Sequence, residues 1–272
     1  MPYAELNGVR VNYQLAGSGE PVVLIPGFTT SLHLWHNQVE PLSRRYRTLT
    51  FDLRGHGDSS APADGYGTSD YADDLRQLVE HLNLPRAHLV GASLGGAIAV
   101  HLALTRPDLV RSLTLAGAVI DGFEGWDEEY GARLRRARKI AQTESVEAAV
   151  KDWLTHPFFR ATRDVAEFAK TAVRYSGAGW LSNARAPKAP VSDFARLVEI
   201  EVPTLVVVGE ADVDPCLATA KALAARAQHA RMVLVKGAGH LPAWDNPEEF
   251  NRVLLEFLEH VSPAAATAAA AR

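Results

Sequence analysis

Five residues, Gly91-Ala92-Ser93-Leu94-Gly95, separate the apolar run Ala87-His88-Leu89-Val90 from a second one, Gly96-Ala97-Ile98-Ala99-Val100. No other segment constrains the fold as tightly. The pattern predicts a strand that turns abruptly into a helix with a serine at the apex. Gly91, Gly95 and Gly96 remove the β-carbons that would clash around a strained serine backbone. Such a turn holds the serine Oγ outward, while the free N–H groups of the new helix face any negative charge developing beside it. A helix N-cap serine in a glycine-rich loop is the plainer alternative. The rest of the chain has to decide between them.

The flanking chain alternates. Asn7-Gly8 between Ala4–Leu6 and Val9–Tyr13 is a hairpin signal. Continuous apolar runs follow at Val22–Ile25, Thr48–Phe51, His88–Val90, Leu113–Ala116, Thr204–Val208 and Met232–Val235. Runs of this kind suit strands buried on both faces, which implies a mostly parallel sheet. Helical patterns lie between them near 31–44, 70–83, 94–106, 216–227 and 246–260. The last opens on Asn246-Pro247-Glu248-Glu249, a cap residue followed by Pro and first-turn acids. The alternation predicts an α/β fold. From Asp121 to Pro190 the strands disappear and only helical patterns remain, at Trp126–Gln142, Ser145–Thr155 and Arg163–Ser176. This block reads as a helical cap (121–190) inserted into a core formed by 1–120 and 191–261. The alanine-rich end, 262–272, has no apolar patterning and is expected to fray.

Composition narrows the function. With 47% hydrophobic residues in 272 positions the chain can bury a large core, and its net charge of −4 gives no electrostatic reason to bind nucleic acid. The basic cluster Arg133, Arg135, Arg136, Arg138 and Lys139 lies near Glu128, Glu129 and Glu144, as on a solvated helix face. Cys216 is the only cysteine, so neither an intramolecular disulfide nor a cysteine metal cluster can form. The N-terminus carries no signal-peptide pattern, and the longest apolar stretch, Leu89 to Leu104, is too short and interrupted to insert in a membrane. The expectation is a cytoplasmic monomer or homodimer that needs no cofactor or metal.

A serine hydroxyl needs a base to take its proton and a third group to orient that base. Of ten histidines, His240 lies in Gly237-Ala238-Gly239-His240-Leu241-Pro242, just past the last strand, where α/β folds gather their sites. His88 and His101 fall inside core elements and read as packed histidines. His33, His36, His81, His229 and His260 have surface or helix explanations. The acid is expected at another strand end. Asp212, in the loop after Thr204–Val208, is the first choice, Asp214 the second, and Asp121 the third.

The order Ser93…Asp212…His240 resembles the α/β-hydrolase superfamily, and the similarity runs over about 1–261. Phe51-Asp52-Leu53-Arg54-Gly55-His56-Gly57-Asp58-Ser59 is similar to that family's loop after its fourth strand, which shapes the sheet edge and is not normally catalytic. Pro26-Gly27-Phe28 resembles its oxyanion loop, with Pro26 where relatives more often carry histidine. The resemblance implies an eight-stranded, mostly parallel sheet flanked by helices, with the inserted cap. It also implies Ser93 as nucleophile, His240 as base, Asp212 as orienting acid, and the backbone N–H groups of Phe28 and Leu94 as oxyanion donors. Dehalogenases and epoxide hydrolases of this fold use aspartate at the turn, so the serine argues against both. The sequence looks like a capped serine hydrolase similar to esterases and enol-lactonases, acting on a small-molecule carboxylic ester or lactone. The alternatives are a carbon–carbon bond hydrolase or cofactor-free perhydrolase on the same triad, or a hydrolase-fold ligand receptor. Trp126, Trp153, Phe158 and Phe159 of the cap, with Trp35 after the oxyanion loop, are expected to line an apolar substrate pocket. Arg133 or Arg160 would be the group to hold a carboxylated lactone.

Overall fold

In the computed structural model, residues 2–6, 8–126, 128–162, 164–172, 174–182 and 191–262 are described. The expected fraying end past Ser262 and part of the proposed cap, 183–190, fall outside them. Eight strands form one sheet: β1 (Tyr3–Leu6), β2 (Val9–Ala16), β3 (Pro21–Ile25), β4 (Arg47–Phe51), β5 (Ala87–Ala92), β6 (Val110–Ala116), β7 (Thr204–Gly209) and β8 (Ala230–Val235). Their spatial order is β1-β2-β4-β3-β5-β6-β7-β8. β2 runs antiparallel to β1 and β4, and the six strands from β4 to β8 are parallel. The six long apolar runs of the sequence are these six parallel strands. The hairpin signal also holds, since Leu6 pairs with Val9 across a two-residue connection.

The inner parallel strands, β3 to β7, are buried on both faces because each face has its own helical layer, whereas β8 at the sheet edge leaves Leu234 exposed. Val23, Ile25, Leu49, Phe51 and Leu89 join one core cluster, while Val22, Leu24, Val90, Leu205 and Val207, their neighbours along the strands, join another. This is the period-2 alternation of a pleated strand with no solvent side. Against the sheet lie α1 (His36–Ser43), α2 (Thr68–His81) and α3 (Leu94–Thr105). Helices α4 (Glu128–Thr143), α5 (Val146–Trp153), α6 (Val165–Ala172) and α7 (Ala178–Leu181) come from the block that breaks the alternation. The short α8 (Asp193–Arg196), then α9 (Asp214–Arg226), α10 (Pro242–Asp245) and α11 (Pro247–Val261), complete the chain. α9 begins two residues before the apolar pattern suggests, because Pro215 fixes a helical φ in its first turn. α11 starts where the cap signal lies: the Asn246 side chain accepts the Glu249 N–H at 3.3 Å. Among the described residues no helix is long and apolar enough to cross a membrane.

Helices α4–α7 stand over the carboxyl edge of the sheet. The Ser176 N–H donates to the Gly55 carbonyl at 2.9 Å, and Arg174 pairs with Asp58, so this layer is tied to the loop after β4. The basic face of α4 is salt-bridged, in part to an acid expected from the sequence. Arg135 meets Glu128, but Arg136 reaches Asp152 on α5. His88 is fully buried, with its Nδ1 2.7 Å from Ser112 Oγ. His101 bonds Asp193 at 2.9 Å and thereby ties α3 to α8.

One buried ion pair fixes α2 beneath that edge. Arg54 donates from Nε and Nη2 to the two oxygens of Asp74, at 2.6 and 2.5 Å, and from Nη1 to the Gly65 carbonyl at 2.8 Å. The side chains are 12% and 4% exposed. Removing one partner leaves a desolvated charge, whereas replacing both with apolar residues does not. Asp74→Ala is therefore expected to destabilise the protein by roughly 3–5 kcal/mol. In urea unfolding, the double variant Arg54→Met/Asp74→Leu should lose less than the single one.

Candidate active site

Parallel order places the loops after β3, β5, β6, β7 and β8 at one edge of the sheet. β3 and β5 are adjacent although β4 intervenes in sequence, and a crevice between loops opens where strand order reverses. Ser93 follows β5 with φ +51° and ψ −114°, a conformation L-residues rarely adopt. Gly95 lets the turn sit against β3: a β-carbon there would lie 2.2 Å from the Ile25 carbonyl oxygen. The Ser93 N–H is held by the Ala116 carbonyl at 2.9 Å, and the Ser93 carbonyl accepts the Gly96 N–H, closing the first turn of α3.

His240 reaches Ser93 from the loop after β8. Its Nε2 lies 3.0 Å from Ser93 Oγ, and its Nδ1 lies 3.2 Å from Asp212 Oδ2. The imidazole and carboxylate are almost completely buried. Gly117 makes room for this loop, since a β-carbon there would meet the His240 carbonyl oxygen at 2.2 Å. The loop is braced from below by the Gly239 N–H, which donates to Asp245 Oδ2 at 2.8 Å. Of the three acids weighed from the sequence, Asp212 is the one bonded to His240. Asp214 instead opens α9, and Asp121 lies exposed after β6 with its carbonyl accepting the Phe194 N–H.

Cys216 was not anticipated here. Its Sγ lies 3.3 Å from His240 Nδ1, and its thiol hydrogen-bonds the same Asp212 carboxylate. Burial first, and the carboxylate second, push this thiol far above the ordinary cysteine range, so it is not a nucleophile of this site. The ligand atoms of Asp212, Cys216 and His240 lie within 4.8 Å of one another, a spacing that could hold a cation. In the structure they are bonded to one another instead.

Gly27 and Phe28 follow β3 beside Ser93, and with Leu94 they border a cavity of about 240 Å³ that reaches Ser93 and His240. Among the described residues, neither the Phe28 nor the Leu94 backbone N–H is donated to a protein acceptor. Pro26 cannot brace this loop as a histidine would, and the bracing comes from the loop after β4. Asp52 accepts the Leu32 N–H at 2.7 Å, and His56 Nε2 accepts the Thr29 N–H at 3.1 Å. Thr29 has φ +65°, so these two bonds hold a strained turn in place. The Asp52–Ser59 segment therefore supports the loop after β3 as well as the sheet edge, a role its sequence alone did not disclose. The signal was a buried acid and a histidine in one glycine-rich turn.

The expected pocket residues divide. Trp153, Phe158 and Phe159 line the cavity, whereas Trp35 is fully buried against Phe250 and does not reach it. Its place in the α1 region puts it in the core below the sheet edge. Trp126 packs on Tyr130 and Phe158 and lines a separate cavity of about 320 Å³ that also meets Arg160, Asp212 and Asp214. Arg133 does not line the main cavity either; it donates to Thr155 Oγ1 at 3.3 Å. The Phe158 ring stacks on the His240 imidazole, with centroids 4.1 Å apart and planes 13° from parallel. It forms the wall between the two cavities. The Phe28 ring, unforeseen in the sequence, packs edge-on against Trp153, Tyr175 and Trp180 and joins the oxyanion loop to the overlying helices.

The comparisons agree with this architecture. The chain belongs to the family described as alpha/beta hydrolase fold, whose profile matches residues 20–247. It is thus a hydrolase-family protein with an eight-stranded, mostly parallel sheet. It is similar to the solved structure described as "Est816 as an N-Acyl homoserine lactone degrading enzyme", with 30% identity and a TM-score of 0.78, covering 94% of this chain and 100% of that one. It is also similar to the enol-lactonase from Burkholderia xenovorans LB400, with 28% identity and a TM-score of 0.81, covering 94% and 99% of the two chains. A curated relative from Acinetobacter baylyi, (E)-2-((N-methylformamido)methylene)succinate hydrolase, is 27% identical over 93% of this chain and 95% of its own.

Burial sets a pH signature on the bracing histidine. His56 Nδ1 donates to the Arg54 carbonyl at 2.9 Å while Nε2 accepts from Thr29, so the neutral ring is satisfied and burial pushes its pKa down to about 4. Folded His56 thus stays neutral between pH 6.5 and about 4, where the unfolded chain takes up a proton. Its contribution to stability is full above 6.5 and is lost as pH falls through that window. Wild type should therefore lose roughly 3 kcal/mol more than His56→Asn between pH 7 and 4. Urea melts of both proteins across that range measure the difference.

Proposed function

We propose that the protein is a serine hydrolase of carboxylic esters or lactones acting through an acyl-enzyme on Ser93. The single observation that carries this reading is the continuous chain Ser93 Oγ–His240 Nε2 at 3.0 Å and His240 Nδ1–Asp212 Oδ2 at 3.2 Å, opening on a cavity. Nδ1–H donates to Asp212, which leaves Nε2 as the acceptor facing Ser93. His240 takes the serine proton as Oγ attacks the carbonyl, and Asp212 stabilises the imidazolium that forms. The free N–H groups of Phe28 and Leu94 receive the oxyanion, with the α3 N-terminus adding its positive end. His240 then returns the proton to the leaving oxygen. A water activated by the same imidazole releases the acyl group.

The names of the lactone-degrading and enol-lactonase relatives support the ester or lactone branch. The helical block 121–190 is part of the proposal as the cap that closes the site over its substrate. A carbon–carbon hydrolase would use the same serine, as the succinate-hydrolase relative illustrates that other bonds are cleaved within the family. Hydrolysis of p-nitrophenyl esters from acetate to decanoate distinguishes these readings. Wild type should turn over repeatedly, and Ser93→Ala should fall by roughly 10^6-fold. Asp212→Ala, with Asp121 and Asp214 intact, should fall by roughly 10^4-fold in kcat. Near-normal turnover by the Asp212 variant would sink the acid assignment. A folded wild type with no ester turnover would transfer the proposal to carbon–carbon cleavage or ligand reception.

A further inference from the structure

The cavity beside Ser93 is closed to charge. None of its lining side chains among the described residues is Asp, Glu, Lys or Arg, and His240 is its only imidazole. Its wall is built from aromatic rings such as Trp153, Phe158 and Phe159, with Leu134 and Val119 between them. Hydroxyls of Thr30, Thr68, Ser93 and the cavity tyrosines, the Trp153 indole N–H and backbone groups such as the Phe28 and Leu94 N–H supply uncharged polar contacts. Arg54, behind Tyr66, is engaged by Asp74 and the Gly65 carbonyl. Arg160 lines only the second cavity, on the far side of the Phe158 ring.

We propose that this cavity encloses only uncharged groups, so that the acyl portion of the substrate is neutral and small. The proposal rests on Ser93 being the nucleophile, and it adds the substrate class. An anionic carboxylate placed among these rings would lose its hydration and find no counter-charge, and a lone buried ion costs several kcal/mol. A neutral ketone, ether or hydroxyl could instead use the hydroxyl groups in the wall. The volume sets the size. At about 30 Å³ for each water-sized group, 240 Å³ holds about eight such groups, which fits a hexanoyl or benzoyl unit. The cavity with Asp214 and Arg160 is a separate one, which meets this cavity's lining at Tyr130 and at Phe158, the ring stacked on His240.

Methyl hexanoate and monomethyl adipate test this directly. They share the leaving group and chain length and differ by a terminal methyl against a carboxylate. By pH-stat, kcat/KM for the hexanoate should exceed that for the adipate on the order of 100-fold. Leu134→Arg, which brings a cation to the wall, should narrow that ratio by about tenfold or more. A wild-type ratio within about threefold, or a preference for adipate, overturns the proposal. An unchanged ratio in the Leu134 variant overturns this wall as the source of selectivity. Thermal stability of Ser93→Ala with each ester separates the inference from the reading beneath it. Stabilisation by methyl hexanoate alone supports the neutral cavity even where wild type hydrolyses neither ester, a result that would overturn the serine mechanism alone. Equal stabilisation by both esters, or by neither, overturns the neutral cavity.

Discussion

The contact on which the structure depends is the close approach of the β5–α3 turn to the end of β3. Ser93 occupies a strained conformation, and strain of this kind persists only when the surroundings leave the backbone no alternative. Here the surroundings are the Ala116 carbonyl on one side and the Ile25 carbonyl, against Gly95, on the other. The same approach aligns the start of α3 with the oxyanion loop after β3. A side chain at Gly95 would push against backbone, which cannot rotate away. The geometry of the nucleophile and that of the proposed anion site are therefore one packing problem, solved by a missing methyl group.

What surrounds that contact was partly written in the sequence. The inner parallel strands were legible because a strand buried on both faces is largely apolar, whereas Met232–Val235 gave the same signal for β8, an edge strand with Leu234 exposed. Ser93 and His240 were legible because glycine-rich turns after apolar runs have few other uses at a sheet edge. The acid was narrowed to three and not to one, because Asp212, Asp214 and Asp121 all follow strands. Only the approach of His240 to one of them decides, and that is a contact between segments 28 residues apart. Trp35 and Trp126 were misplaced for a related reason. A tryptophan that packs a core and one that lines a cavity are the same letter, and helical spacing does not say which neighbour stands opposite. The roles of the His56 side chain and the Phe28 ring went unrecognised because they exist only between loops.

Those two residues show how the site is held from outside. Pro26 removes the side chain that could have fixed its own loop, so the β4 loop supplies the acceptors at Asp52 and His56. His56 can accept from Thr29 only while Nε2 is unprotonated, and burial guarantees that state by disfavouring the charged ring. Phe28 transmits the position of the same loop upward, through its edge contacts with Trp153, Tyr175 and Trp180. The oxyanion loop is thus clamped between a hydrogen-bonded floor and an aromatic ceiling. Movement of the overlying helices would be felt at the Phe28 N–H without touching Ser93.

The apolar wall has two consequences that cannot be separated. Its rings lower the local dielectric, which strengthens the attraction between the Asp212 carboxylate and an imidazolium on His240, and between an oxyanion and the N–H groups facing it. Phe158, stacked on the His240 ring, keeps solvent from one face of the imidazole. The same low dielectric raises the cost of any unpaired charge brought in by the substrate. A site can tolerate both a strong internal triad and an anionic ligand only by adding a cation, and among the described residues Arg54 is already held by Asp74. Releasing it would leave Asp74 buried and alone. On the proposed reading, selectivity for neutral acyl groups is a by-product of how the triad is made effective.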